Sequence, residues 1–167
     1  SAPDPPDAPD APDARLRISL LLPPRWSTRH DPLRGILVCA RCPRSGREGH
    51  VPEMVLRAAA VPDADLDGWR RRALVELAEG LEDFALEDDD CFEIGGHVVR
   101  YHRFAHREGT PSFTPTDLLC EQWCWWWEGV GITLSCIVER DDYAAYCDLF
   151  EDVANSLEIQ ASQPLPT

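Results

Sequence analysis

Gln122–Ile159 reads QWCWWWEGVGITLSCIVERDDYAAYCDLFEDVANSLEI, and its hydrophobic period changes once. The runs Leu118–Glu128 and Val130–Val138 are rich in aromatic and β-branched residues and meet at Gly129 and Gly131, which predicts two strands joined by a tight turn. Beyond Asp141-Asp142 the apolar residues Tyr143, Tyr146, Cys147, Phe150, Val153, Ala154 and Leu157 recur at three-to-four spacing. That stripe predicts an amphipathic helix, opened by carboxylates suited to its N-terminal dipole.

Outward from this unit the periods stay interpretable. Leu16–Leu20 alternates and then meets Pro23-Pro24, as a first strand ended by a turn would. Gly35–Cys39 and Val55–Val61 are short apolar runs suited to strands, with the polar loop Pro43–Gly49 connecting them as a hairpin. Leu66, Trp69, Ala73, Leu74, Leu77 and Leu81 mark a helix from near Asp63 to near Gly80. A strand at Phe84–Leu86, an acidic turn Glu87–Asp90, and Gly95-Gly96 lead into a further strand, His97–Phe104. Seven strands with mostly hairpin-length links and two main helices predict an α+β fold, an α/β/α-type sandwich on a mostly antiparallel sheet of about six to seven strands.

Composition bounds the function classes. The 167 residues suit one domain. Residues 1–14, SAPDPPDAPDAPDA, have no large apolar side chain and are expected to be a disordered linker; 15–159 form the domain and 160–167 a short tail. The net charge is −14, from 30 acidic and 16 basic residues. Twelve of the basic residues, all Arg, fall within 15–72 against 6 acids, while 73–167 carry 4 Arg and 20 acids. Such a field opposes nucleic acid and anionic membrane as partners of the second half, and the first half leaves a basic face as the alternative. No apolar run reaches the length of about 18 residues that membrane insertion requires. Seven cysteines, an odd number, lean toward a reducing compartment, so the cytoplasm is expected, with the cell envelope and a tether through the N-terminal linker as the alternative.

Several short motifs, in order, carry a resemblance. Leu20-Leu21-Leu22-Pro23-Pro24-Arg25-Trp26, His50-Val51-Pro52-Glu53-Met54-Val55-Leu56, Ile94-Gly95-Gly96-His97 and the closing stretch Tyr143 to Ser156-Leu157 resemble elements of the PsbP/Mog-like fold superfamily, particularly its LpqN-like or Eag-chaperone-like bacterial members. Glu53 stands where that family usually has Asn. The resemblance spans Leu16–Ile159 and implies a non-enzymatic protein-binding module of the chaperone or adaptor type, with a place in secretion or a multi-subunit assembly. No cofactor is implied, and the partner is another protein.

Candidate site residues follow from side-chain phase. Trp123, Trp125 and Trp127 share one face of their strand, Cys124 and Trp126 the other. Rings on both faces mean either a core on both sides or at least one ring at the rim of a groove, where rigid aromatics make binding hot spots. His102, on the neighbouring strand, is expected at a surface or rim. Arg70 and Arg71, within the Arg70-Arg71-Arg72 run of the first helix, are expected as a solvated face or a receptor for an acidic partner. No catalytic residue emerges, since no nucleophile–base motif accompanies the histidines. The rival reading is a thiol-redox or zinc-binding protein using Cys39, Cys42 and His50; Cys120 and Cys124 lie about 13 Å apart by strand rise, too far for one tetrahedral ion. Asp88-Asp89-Asp90 with Glu87 and Glu93 lacks the loop order of a calcium hand and is expected as a solvated turn.

Overall fold

In the computed structural model, which describes residues 16–43, 49–109 and 114–161, seven strands form one antiparallel sheet in the order β2-β3-β4-β8-β7-β6-β5. They are β2 (Ser27–Asp31), β3 (Ile36–Arg41), β4 (Glu53–Ala60), β5 (Glu82–Ile94), β6 (His97–Glu108), β7 (Thr116–Trp127) and β8 (Val130–Glu139). A second, two-stranded ribbon pairs β1 (Leu16–Ser19) with β9 (Glu158–Ala161). The helices are α1 (Leu66–Gly80), between β4 and β5, and α2 (Tyr143–Asn155), after β8. The fold is α+β.

Local chemistry explains the boundaries. Asp65 caps α1 by accepting from the Gly68 amide at 2.8 Å. Gly95 and Gly96 take φ of 59° and 82° in the two-residue turn between β5 and β6, and Glu128 and Gly129 do the same between β7 and β8 at 43° and 82°. Consecutive positive φ values give the turn twist that matches the flanking strands.

The two helices cover opposite faces. Facing α2 are the even residues of β4 and β8 (Met54, Leu56, Ala58; Ile132, Leu134, Cys136, Val138) with Leu119, Trp123 and Trp125 of β7, packed under Phe150, Val153, Ala154 and Leu157. Leu16, Ile18 and Ile159 of the ribbon pack onto the same core. On the other face Trp69 of α1 lies against Gly131, where an added Cβ would sit 2.6 Å from the ring's Cζ2.

The structure departs from the expectations at several elements. The Leu16–Leu20 strand is not part of the main sheet but pairs with β9; Gln160 and Ala161, assigned to the tail, lie in β9, and 162–167 lie outside the described residues. The acidic run 87–90 is not a turn but the middle of the thirteen-residue edge strand β5, bulged between Glu82 and Ala85 and again between Leu86 and Asp88. Charged side chains on an edge strand block further pairing, so they are compatible with extended backbone there. Strand β2, Ser-Thr-Arg-His-Asp, was not expected at all, since a largely exposed edge strand needs no apolar alternation. The linker assigned to 1–14 lies outside the described residues.

Candidate binding cleft between the closing helix and the sheet

Strand register sets the residues of the site in rows. Across β5, β6 and β7, Asp90, Tyr101 and Trp123 are Cα partners, and so are Asp88, Arg103 and Glu121 in the next row. Both rows face α2. On that helix Tyr143, Cys147, Glu151 and Asn155 fall at i, i+4 spacing and, with Asp148, form the opposite wall. The remaining stripe of α2, through Phe150, Val153 and Ala154, goes into the core. Between the walls is an open cleft of about 310 Å³.

Its floor is aromatic and its depth is polar. The rings of Tyr101 and Trp123 are 5.1 Å apart, and Phe92 is 6.3 Å from Tyr101. The Tyr101 hydroxyl donates to Glu121 Oε2, while Glu121 Oε1 is buried with no hydrogen-bond partner. Glu121 is only 5% exposed. Burial pushes its carboxyl above the ordinary range, opposed by the Tyr101 hydrogen bond and by Arg103. Burial likewise pushes the Tyr101 phenol up, with the Glu121 carboxylate adding to it. Arg103 sits over the Tyr143 ring at 5.6 Å and pairs with Glu87 at 3.5 Å, so its charge already has a partner.

The aromatic ribbon divides. Trp123 and Trp125 are 3% and 1% exposed, so as contact residues they are corrected to core, although Trp123 also floors the cleft. Both are in the phase that faces α2, and closing the sandwich covers that phase. Trp126 and Trp127, nearest the turn, are half-buried. Trp127 makes an edge contact with His97 at 5.7 Å, and Trp126 donates its indole N–H to the Asp63 carbonyl at 3.3 Å. Beside them a groove of about 430 Å³ runs past Gly96, His97 and the exposed Val98.

His102 and Arg70 are also corrected from surface to interior, at 0% and 4% exposure. Arg70 donates to Gln122 Oε1 at 2.7 Å and to His102 Nε2 at 3.4 Å; His102 Nδ1 lies 3.2 Å from Asp89 Oδ1, which also accepts from Arg100 at 2.8 Å. Burial, reinforced by Arg70 and Arg100, lowers the His102 pKa to about 4. With Nε2 engaged by a guanidinium, this imidazole is a structural acceptor rather than an available base. Arg71 is exposed on α1.

The metal alternative loses its geometry. Cys39 in β3 and Cys42 just past its end point to opposite sides: Cys42 Sγ reaches the Tyr146 hydroxyl of α2 at 3.6 Å, whereas Cys39 pairs with Val55 on the α1 side. Two thiols three residues apart in extended backbone point apart; the CxxC half-site needs a turn there. The His50 amide donates to Glu139 at 3.0 Å. Among the described residues no three His, Cys, Asp or Glu side chains converge to hold an ion. The seven thiols are free, and burial raises Cys120, Cys124 (to about 11) and Cys136, keeping them protonated.

Tyr101, Arg103, Glu121 and Tyr143 escaped the sequence analysis, yet one signal was present. Glu121 interrupts the apolar run of β7 in phase with Leu119 and Trp123, a charge on a core face. Its neighbours in the cleft come from two other strands and a helix, and only register brings them together.

Comparison with known proteins supports the same architecture. No protein-family model matches the chain, and no curated protein matches it in sequence. Solved structures do. LpqN of Mycobacterium tuberculosis, involved in cell envelope biogenesis, superposes with a TM-score of 0.67 at 15% identity over 90% of this chain and 86% of that one. Cyanobacterial PsbP from Synechocystis gives 0.58 at 16% identity over 87% and 93%. The Ran-binding protein Mog1p of Saccharomyces cerevisiae gives 0.55 at 12% over 84% and 89%. A seven-stranded antiparallel sheet between α1 and α2, matched over most of each neighbour's length, has the PsbP/Mog-like fold.

Proposed function

We propose that this protein is a non-enzymatic, protein-binding module of the adaptor or chaperone type, which contacts an apolar segment of its partner through the open end of β7. The observation that carries the proposal is the groove at the β7 end, lined by the half-buried Trp126 with His97 and the exposed Val98; the half-buried Trp127, on the other face of the strand, touches His97 at its margin. Large rings held by a rigid strand give contact area at low entropy cost. The fold is shared with a Ran-binding protein and with a protein of cell envelope biogenesis, which favours a protein partner. A role in secretion or a larger assembly, in the cytoplasm or at the cell envelope, fits the same surface.

The test is co-purification of the partner with tagged wild type, its identification, and repetition with Trp127→Ala and Val98→Ser. Val98→Ser, at an exposed position, is expected to keep the wild-type melting temperature within about 2 °C, whereas Trp127→Ala, which removes a ring packed on the core, is expected to lower it; both are expected to weaken the partner's binding at least about tenfold, and Val98→Ser decides if Trp127→Ala does not fold. Unchanged binding in both would remove this surface from the proposal.

A further inference from the structure

The α2 cleft is separate from the aromatic end, and its chemistry is different. We propose that the cleft floored by Tyr101, Trp123 and Glu121 is a binding site for the head of an organic cation, an alkylammonium or a guanidinium group.

Three observations converge on that ligand class. The first is Oε1 of Glu121, a carboxyl 5% exposed at the floor of the cleft: Oε2 accepts from Tyr101, whereas Oε1 has no hydrogen-bond partner, with the Tyr143 hydroxyl and Arg103 as the other groups close enough to act on the carboxyl. A buried acceptor without a donor is costly, and a charged N–H donor satisfies it best. Second, the rim carries Asp88, Asp90, Asp148 and Glu151, none of which has an ion-pair partner among the described residues. The one cation in the lining, Arg103, shares Glu87, outside the cleft, with Arg140, and is outnumbered by the acids of the lining. A cleft lined by five carboxylates against one guanidinium has a net negative field that attracts counter-charges and repels anions. Third, the walls are rings: Phe92, Tyr101, Trp123 and Tyr143 line the same space. Aromatic faces attract an organic cation with apolar bulk and offer nothing to a hard divalent ion, which requires converging oxygens. A volume of about 310 Å³ accommodates a single amine or guanidinium head with its alkyl stem.

The site is tested on the full chain with three probes: agmatine, a blocked tripeptide with a central Arg or Lys, and the same tripeptide with norleucine in the centre. Calorimetry and tryptophan fluorescence report binding. The expected result is saturable binding of the cationic probes, at least tenfold weaker binding of the norleucine peptide, and loss of affinity as salt rises. Glu121→Gln is expected to weaken the cation at least tenfold, and the rim pair Asp148→Asn with Glu151→Gln several-fold. Should Glu121→Gln fail to fold, the rim variant decides by itself. Binding of the basic peptide at least tenfold tighter than agmatine assigns the site to a Lys or Arg side chain of a protein partner, and equal binding assigns it to a free amine. Equal affinity for the norleucine peptide, unchanged affinity in the folded variants, or no saturable binding of either cation overturns the proposal. Because Trp127 and Val98 lie outside the cleft, failure here leaves the aromatic end untouched, and the converse holds.

Discussion

Two buried ionisable groups, one on each face of the sheet, respond to pH with opposite sign. His102 is held neutral, with its pKa lowered from 6.5 to about 4 by burial first and then by Arg70 and Arg100, against the opposing pull of Asp89. A group depressed in the folded state stabilises it above the unfolded pKa, and that stabilisation disappears as the pH falls through the folded value. His102 therefore costs stability between pH 6.5 and about 4, to a total on the order of 3 kcal/mol. Glu121 acts with the opposite sign, because its raised pKa favours the folded state in acid and withdraws that support as the pH rises. Replacing His102 by Gln, which keeps an acceptor for Arg70, isolates the imidazole. Urea midpoints at pH 7 and pH 4.5 should differ less in His102→Gln than in wild type, and an equal or larger difference would show that His102 does not bind a proton on unfolding.

At the scale of elements, the α1 face depends on one close approach. Trp69 crosses β8 at Gly131, and even a methyl group there would meet the indole at 2.6 Å. Neither partner yields easily: Trp69 is buried, and Gly131 sits opposite Trp126 in the ladder. Gly131→Ala should destabilise by about 1–3 kcal/mol through overpacking, measured by chemical denaturation. A neutral result would mean that α1 slides freely on the sheet. The same pair shows where legibility ends. The 3.6 period of α1 and the apolar runs of β7 and β8 are local properties, readable in order. Which residue of α1 meets which of β8 is not, and Gly131 passes in the sequence for a turn residue. Strands β2 and β5 were obscured for another reason: both lie at sheet edges, where exposure permits polar and acidic residues that look like loop.

For the molecule as a whole, the closing strand matters beyond its length. β9 places Ile159 on the core and is the one sheet partner of β1 among the described residues, with Leu16 opposite Ala161. Deleting residues 158–167 should cost at least about 2 kcal/mol, from the loss of the buried Ile159 and the release of β1 with Leu16 and Ile18. A melting temperature unchanged by the deletion would make the ribbon dispensable.

The α+β class, both helices and the strands with an apolar period were written in the sequence, because hydrophobic period and turn chemistry act between residues a few positions apart. The charge bias that disfavours a polyanionic partner was written there too. Which tryptophans are core was decided by the closing of the sandwich, since Trp123, Trp125 and Trp127 share one phase and only proximity to the β7–β8 turn leaves Trp127 half-open. The tertiary structure also made the cleft. Tyr101, Glu121 and Tyr143 are separated by about twenty residues each, and strand register together with the seating of α2 brings their side chains into one cavity, a long-range outcome that no local pattern encodes.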